Sequence, residues 1–375
     1  MDFSLSEEQE LLKKSARDFL TEKFPKKLVL ELENSDAGFS PDLWKEMADL
    51  GWMGLVIPEK YGGAGRGFFE LAVLLQEIGM AAAPTPYFPT IVLGVLPLLD
   101  LGNEAQKQAY LPKVAAGELI FTLALNMPDH LGDTNSVKVT AIADKDGFVL
   151  EGINLFVPYA NVADYMLVAA RTNGTGANGI TLFIVDAKSS DTQHNVMKSI
   201  ANDKLCEVVF AQVNVPKENI LGQVDQGWKP LQKIVERAAI AKCCEMLGGI
   251  QRVLDMTVQY VKERVQYGHP IGTFQAIQHY CANMAIDVDG SRLSIYHAAW
   301  MLAEGIPCTK EIAIAKAWTN EAYRRTATLA HQIHGALGFT LDHDLHYYLR
   351  RAIAAETAFG NTDYHQSMLT RELGF

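Results

Sequence analysis

Arg264-Val265-Gln266-Tyr267-Gly268-His269-Pro270-Ile271-Gly272-Thr273-Phe274-Gln275 ends one long helical pattern and opens another, and its reading decides the fold. The junction gathers a fixed cation, two amides, an aromatic ring and a Gly/Pro turn, a set suited to holding a large phosphorylated ligand. An Arg in a last helical turn followed by Gly-x-Pro is also an ordinary helix C-terminus, so the stretch gains meaning from its flanks. Helical periodicity covers 228–266, 274–304 and 309–334, with a shorter pair after Leu341. The first of these exceeds the usual length of a globular helix and is expected to span both a bundle and an oligomer contact.

Working back toward the N-terminus, the period changes to two between Leu119 and Val215. Strands are expected at Val137–Ala141, Phe148–Leu150, Tyr165–Ala169, Ile180–Val185 and Glu207–Phe210, separated by turns such as Lys145-Asp146-Gly147 and Asn173-Gly174-Thr175-Gly176. Before Ala116 the pattern is helical again. Ser6-Glu7-Glu8-Gln9 has the form of a capping box, Ser40-Pro41 starts a further helix, and helices are expected at 69–79, 90–99 and 104–116. The fold class is therefore a multidomain α+β chain: an N-terminal α-helical domain (1–118), a central antiparallel β-barrel domain (119–225) and a C-terminal four-helix bundle (226–375).

Composition bounds the function. The chain has 375 residues, 49% hydrophobic and 21% charged, enough for sizeable cores. Its formal charge of −11 argues against nucleic acid or an anionic membrane as the main partner, so a polyanionic ligand has to be held by local groups. The apolar run Ile91–Leu99 is broken by Gly94 and Pro97 and falls far short of the roughly 18 to 20 residues that span a bilayer. Five cysteines without CxxC spacing read as reduced thiols in a cytoplasmic protein, with Cys243 and Cys244 as small packing residues.

Four blocks, in this order, resemble the flavin-dependent acyl-CoA dehydrogenase family over essentially the whole chain. They are Met1–Gln9, the run Leu50-Gly51-Trp52-Met53-Gly54-Leu55-Val56-Ile57-Pro58-Glu59-Lys60-Tyr61-Gly62-Gly63, the Arg264–Gln275 junction, and Gln332-Ile333-His334-Gly335-Ala336-Leu337-Gly338-Phe339. The resemblance implies an FAD enzyme that removes an α-proton and a β-hydride from an acyl-CoA, with an electron-transferring flavoprotein as acceptor and a homotetramer or a heteromer with a second family chain. No strand-linked GxGxxG is present, which agrees with a family whose FAD lies between the β domain and the bundle. On this reading Arg264 offers a fork to the pyrophosphate, and Gln266, Gln275 and Gln332 offer amides. Tyr267, Ile271 and Phe274 supply apolar walls, Gly335 admits close backbone approach, and His334 neighbours the flavin.

The departures from the family pattern are equally informative. Its Thr-Glu-Pro-x-x-Gly-Ser-Asp loop is replaced by Asn126-Met127-Pro128-Asp129-His130-Leu131-Gly132-Asp133, leaving Asn126 as the candidate flavin contact there. The Trp and hydroxyl of the next strand become Phe156 and Pro158; Phe156 can stack, whereas Pro158 removes a donor. The usual catalytic Glu position near the C-terminus is Phe359, and the minority position on the long helix is Ala238. Glu245, seven residues beyond Ala238, shares its helical face and is the candidate base, while Glu236 lies roughly 200° round the helix. Asp363 or a loop carboxylate is the alternative base, and a structural ion pair is the competing role for Glu245.

The i,i+3 histidine pairs His331/His334 and His343/His346 lack an accompanying HExxH or Cys/His cluster, so no metal is expected. Two functions follow. One is dehydrogenation of an acyl-CoA with an unusual cyclic, branched or polycyclic acyl group. The other is a non-catalytic or cofactor-completing subunit of a heteromeric dehydrogenase.

Overall fold

A computed structural model of the protein describes residues 4–125 and 134–375. In chain order the early helices are α1 (Glu7–Lys23), α2 (Lys26–Asn34), α3 (Pro41–Asp49), α4 (Phe68–Ala81), α5 (Leu96–Leu101) and α6 (Glu104–Ala115). The strands follow as β1 (Phe121–Ala124), β2 (Thr140–Asp144), β3 (Gly147–Pro158), β4 (Tyr165–Arg171), β5 (Ile180–Asp186), β6 (Thr192–Met197), β7 (Leu205–Pro216) and β8 (Ile220–Leu221). The chain closes with α7 (Trp228–Glu263), a short ladder of β9 (Val265–Gln266) and β10 (His269–Pro270), then α8 (Gln275–Ala303), α9 (Thr309–His334), α10 (Leu345–Thr357) and α11 (Thr362–Glu372). Two compact units result, one from Met1–Val29, Phe68–Ala83 and Ala239–Phe375, the other from Leu30–Gly67 and Pro84–Ala238.

The first unit is helical. Its α1 begins with the expected capping box: Ser6 Oγ accepts from the Gln9 amide at 3.2 Å, and Gln9 Oε1 accepts from the Ser6 amide at 2.9 Å. Such a cap contributes about 1 kcal/mol. Packing of α4 places Glu77 in the interior with only 1% of its side chain exposed, where Arg17 of α1 meets it with two bonds of 2.8 and 2.9 Å. Where α4 crosses α7 the backbones touch through glycine: a Cβ on Gly79 would lie 2.0 Å from the Glu245 carbonyl oxygen, and one on Gly248 would lie 1.9 Å from that of Gln76.

The second unit wraps α3, α5 and α6 around an eight-stranded sheet of order β6-β7-β3-β2-β4-β5-β8, with β1 added beside β4. Most ladders are antiparallel as expected, but β1 joins β4 in parallel and β2 touches β4 through one parallel pair, so the sheet is mixed. The β2–β3 hairpin pairs Asp144 with Gly147 across Lys145-Asp146, and this tight turn fixes the register. It pulls the strand to Thr140–Asp144 rather than Val137–Ala141; Val137 and Val139 are buried ahead of the ladder instead. Within the apolar run after Pro89, Pro89–Val95 forms a wholly buried π-helical turn before α5.

Besides the two-residue strands β8, β9 and β10, three elements lie outside the expected set. Strand β6 is polar on both faces and carries no period-two apolar signal. Strand β1 is four residues buried on both faces, so it does not alternate. Helix α2 follows Phe24-Pro25 without a Ser, Thr, Asp or Asn start signal. In contrast α9 occupies Thr309–His334, the span its periodicity predicts.

Candidate functional site

In the first unit the two C-terminal signature blocks meet at the ends of α7 and α9. The Tyr260 ring stacks on His334 with centroids 4.2 Å apart and planes 20° from parallel. One turn after Tyr260 the helix stops: the Arg264 amide still donates to the Tyr260 carbonyl at 2.8 Å, and the Ile271 amide donates to the Arg264 carbonyl at 2.8 Å. Between them Gln266 pairs with His269, and Tyr267 and Gly268 turn the chain with φ of 54° and 84°, as a two-residue turn with positive φ at both central positions requires. Tyr267 is 91% exposed and meets Phe274 edge-on at 6.3 Å.

Arg264, Gln275 and Gln332 are exposed, and their side chains make no hydrogen bond or ion pair with other described residues. Gln266 Nε2 reaches only the carbonyl of its neighbour Val265, at 2.9 Å. Ile271 is half-buried. Gly335 has φ 59°, and a Cβ built there would find no atom within 4 Å, so its backbone is open to a ligand. A fixed cation, neutral amides and an open glycine form a donor set that fits a long, pyrophosphate-bridged cofactor.

His334 is buried, and its Nδ1 lies 2.8 Å from the Ala330 carbonyl oxygen. A carbonyl only accepts, so Nδ1 carries the proton and Nε2 is a buried acceptor with no partner among the described residues. Burial pushes the ring's pKa down to about 4, with the nearby His343 and His331 acting in the same direction. His331 likewise bonds the Ala327 carbonyl at 2.8 Å. The i,i+3 pair is thus tied to its own helix, and no group of metal-ligating side chains occurs among the described residues.

The second unit holds Phe156. It sits in a bulge of β3 with φ 62°, half-buried, two residues before Pro158, whose carbonyl accepts from Thr122 Oγ1 of β1 at 2.6 Å. Asn126 and the rest of 126–133 lie outside the described residues.

The candidate bases are placed as follows. Ala238 is fully buried on α7. Glu245, on the same helix, is held by Lys242 with Nζ to Oε2 at 2.5 Å, the ion pair that competes with a base role. Phe359 is 2% exposed with φ 56°, and Asp363 is exposed at the start of α11. The turn around Phe359 is built by residues that sequence reading did not select. Lys316, with no exposed surface, donates to Asn320 Oδ1 at 2.7 Å and to the Ala355 and Gly360 carbonyls at 3.0 Å each. Burial lowers its pKa to about 8. His365 Nε2 meets the Phe359 carbonyl at 2.9 Å, and burial lowers that ring's pKa to about 4. The available signal was Lys316 itself, a cation on the Ile312, Thr319, Tyr323 face that α9 turns inward.

Comparison with known proteins places the chain in a family. Residues 6–118 match the acyl-CoA dehydrogenase N-terminal domain and residues 225–374 the C-terminal domain. The chain is 31% identical to the probable acyl-CoA dehydrogenase YngJ of Bacillus subtilis (strain 168), covering 100% of both. It is 32% identical to the acryloyl-CoA reductase (NADH) of Anaerotignum propionicum, covering 100% of this chain and 96% of that one. Among solved structures, the ChsE4-ChsE5 complex from Mycobacterium tuberculosis contains a chain that superposes with a TM-score of 0.91 at 28% identity, over 100% of this chain and 99% of the other. The chain belongs to the acyl-CoA dehydrogenase family of FAD-dependent oxidoreductases, which act on acyl-CoA thioesters. No described helix is long and apolar enough to cross a membrane.

Proposed function

We propose that this chain takes part in α,β-dehydrogenation of an acyl-CoA to an enoyl-CoA, with a cyclic, branched or polycyclic acyl group. The observation that carries the reading is a set of side chains without a hydrogen-bond partner among the described residues, Arg264 just after α7, Gln275 at the start of α8 and Gln332 in the last turn of α9, together with the open backbone of Gly335. In this role Arg264 holds the pyrophosphate, Gln266, Gln275 and Gln332 hold ribityl or adenosine groups, and Tyr267, Ile271, Phe274 and His334 line them. Phe156 and Asn126 contribute from the β domain. When bound, FAD supplies the two-electron acceptor for the β-hydride.

The chain's own residues then have to remove the α-proton. Glu245 is the candidate, being a carboxylate on the Ala238 face of α7. Lys242 Nζ holds Glu245 Oε2 at 2.5 Å, so Lys242 has to move aside for Glu245 to face a substrate proton. On the reading that Phe359 and Ala238, both buried, stand at the family's two base positions, an unusual acyl group is favoured. The division into 1–118, 119–225 and 226–375 is supported by the family matches at 6–118 and 225–374. An electron-transferring flavoprotein as acceptor follows from the family chemistry. A cytoplasmic setting is supported by five free thiols.

One observation favours a second reading. With Glu245 engaged by Lys242 and apolar residues at 238 and 359, the proton acceptor would come from another chain, making this one the cofactor-completing half of a heteromer. The ChsE4-ChsE5 complex supports such an arrangement by similarity. The deciding experiment is a visible spectrum of the purified chain titrated with a panel of acyl-CoAs. Flavin bleaching that Glu245→Gln abolishes, with the yellow colour kept, upholds the first reading. A colourless chain that gains flavin only with a second family chain upholds the other, and unchanged turnover in Glu245→Gln removes Glu245 as base.

A further inference from the structure

The end of β3 carries two aromatic residues in the left-handed region, Phe156 at φ 62° and Tyr159 at φ 53°, with Pro158 between them. Side chains other than glycine and asparagine adopt this conformation only when their surroundings over-determine it. The ladder explains the first. From Asn154 to Val157 β3 advances three residues while its partner β7 advances two, from Val208 to Cys206, so one residue is extra and the strand bulges at Phe156. A bulge re-aims the side chain it contains.

The second is held by a closed circuit of hydrogen bonds. The Tyr159 hydroxyl donates to the Gly38 carbonyl at 3.1 Å, and the Tyr159 amide donates to the Lys204 carbonyl at 2.6 Å. Lys204 Nζ returns to the Glu33 carbonyl at 3.0 Å, and its stem fills the space a side chain on Gly38 would need, 2.3 Å from the position of a Cβ. Ser35 Oγ accepts from the Gly38 amide at 3.1 Å and closes the 35–38 turn, while Asn161 Nδ2 donates to the Asp36 carbonyl at 2.8 Å. Every partner in this circuit belongs to the second unit. An asparagine or glycine at 159 would adopt the same backbone with less strain but would not reach Gly38.

We propose that Tyr159 is a positioning residue for Phe156: its anchored hydroxyl fixes the bulged end of β3 and thereby sets the orientation of the Phe156 ring. The functional consequence rests on the reading that Phe156 stacks beside the flavin. Tyr159 then controls how firmly that ring is presented, acting through the backbone of β3.

The test places 4-fluorophenylalanine at position 156 and records its fluorine resonance in the full-length chain before and after FAD is added. Tyr159→Phe is expected to shift or broaden that resonance without FAD, and to weaken FAD binding roughly fivefold. Tyr159→Gly is expected to produce the same spectral change together with a lower unfolding temperature, because it empties a buried aromatic site, whereas Tyr159→Phe keeps the ring and isolates the hydroxyl anchor. Lys204→Met, which opens the circuit from the other side, should move the resonance in the same direction. A resonance unchanged in Tyr159→Phe and Lys204→Met overturns the positioning role. A resonance that responds to these variants but not to FAD upholds positioning and refutes the flavin contact of Phe156, so the two failures are distinct.

Discussion

Lys316 Nζ lies 3.0 Å from the Gly360 carbonyl oxygen, so a lysine without exposed surface holds the turn that carries Phe359. Three further features make this an unusual site. Asn320 Nδ2 donates to the Glu356 carbonyl at 3.3 Å, His365 faces the turn from α11, and Glu356, the carboxylate whose charge acts on the lysine, is paired with Arg324 at 3.4 Å. The ammonium is therefore satisfied chiefly by carbonyls, which solvate it less well than water does.

Lys316 has its pKa lowered from 10.5 to about 8 by burial, so between these values the unfolded chain binds more protons than the folded one. Stability is expected to rise by about 3 kcal/mol as pH goes from 8 to 10.5, and to lose that gain as pH falls back through 8. Lys316→Met should abolish this rise and, at pH 7, cost about 2 kcal/mol through the orphaned carbonyls of Ala355 and Gly360. Urea unfolding of both proteins between pH 7 and 10.5 measures it; parallel curves would refute the assignment.

At the acid end His365 plays the same part, with the same sign. Its ring stays neutral in the fold because burial lowers its pKa from 6.5 to about 4, and protonation would place a donor on Nδ1, which is buried with no partner among the described residues. The stabilisation from keeping it neutral is complete above pH 6.5 and is lost as pH falls through about 4, by up to about 3 kcal/mol. His365→Gln should flatten the stability profile between pH 6.5 and 4. His334, lowered in the same direction, is expected to add to the effect, and thermal scans of the double variant report whether the two losses sum.

The Arg264 side chain is exposed and makes no hydrogen bond or ion pair with the described residues, so its removal should leave stability within about 0.5 kcal/mol of the parent. Arg264→Met is nevertheless expected to weaken FAD binding by roughly 10- to 100-fold, the loss of one charge-assisted contact of about 1.5 to 3 kcal/mol. Arg264→Lys should recover only part, since an ammonium lacks the planar fork. Flavin fluorescence titration against the purified chain, alone and with any partner chain, decides this.

Gly248 has its Cα side turned to α4, where a methyl group would meet the Gln76 carbonyl at 1.9 Å and the Met80 amide at 2.5 Å. Backbone on both sides leaves no flexible side chain to yield. Gly248→Ala is expected to destabilise the chain by about 2 to 4 kcal/mol despite alanine's better helix propensity, because overpacking outweighs the roughly 1 kcal/mol gained locally. A chemical denaturation midpoint equal to that of the parent would show that the crossing can relax.

How much of this was legible depends on the range of the interaction. Ser6 with Gln9, Asp144 with Gly147, and the i,i+3 spacing of Lys242 and Glu245 are local relations, open to reading from adjacent residues. The span of α9 followed from its periodic apolar face and the glycine at its end. The meeting of Tyr260 with His334 brings together residues far apart in the chain, and nothing in either neighbourhood encodes it. The same holds for the circuit from Tyr159 through Gly38, Glu33 and Lys204. There the sequence shows only an aromatic where asparagine or glycine is the usual solution, a local conflict whose resolution lies in tertiary contacts. The bulge that places Phe156 was equally hidden, because an extra residue in one strand is defined only by its partner.

The distribution of the thiols gives the experimenter an unplanned handle. Cys206, Cys243, Cys244 and Cys308 are buried, and burial raises the Cys243 pKa to about 12, whereas Cys281 on α8 is half-exposed. A thiol-reactive dye applied to the native chain should therefore label one address, two turns past the Gln275 that opens α8. Covalent labelling at that address gives a fluorescent reporter on the helix next to the junction, without engineering a cysteine or removing the other four.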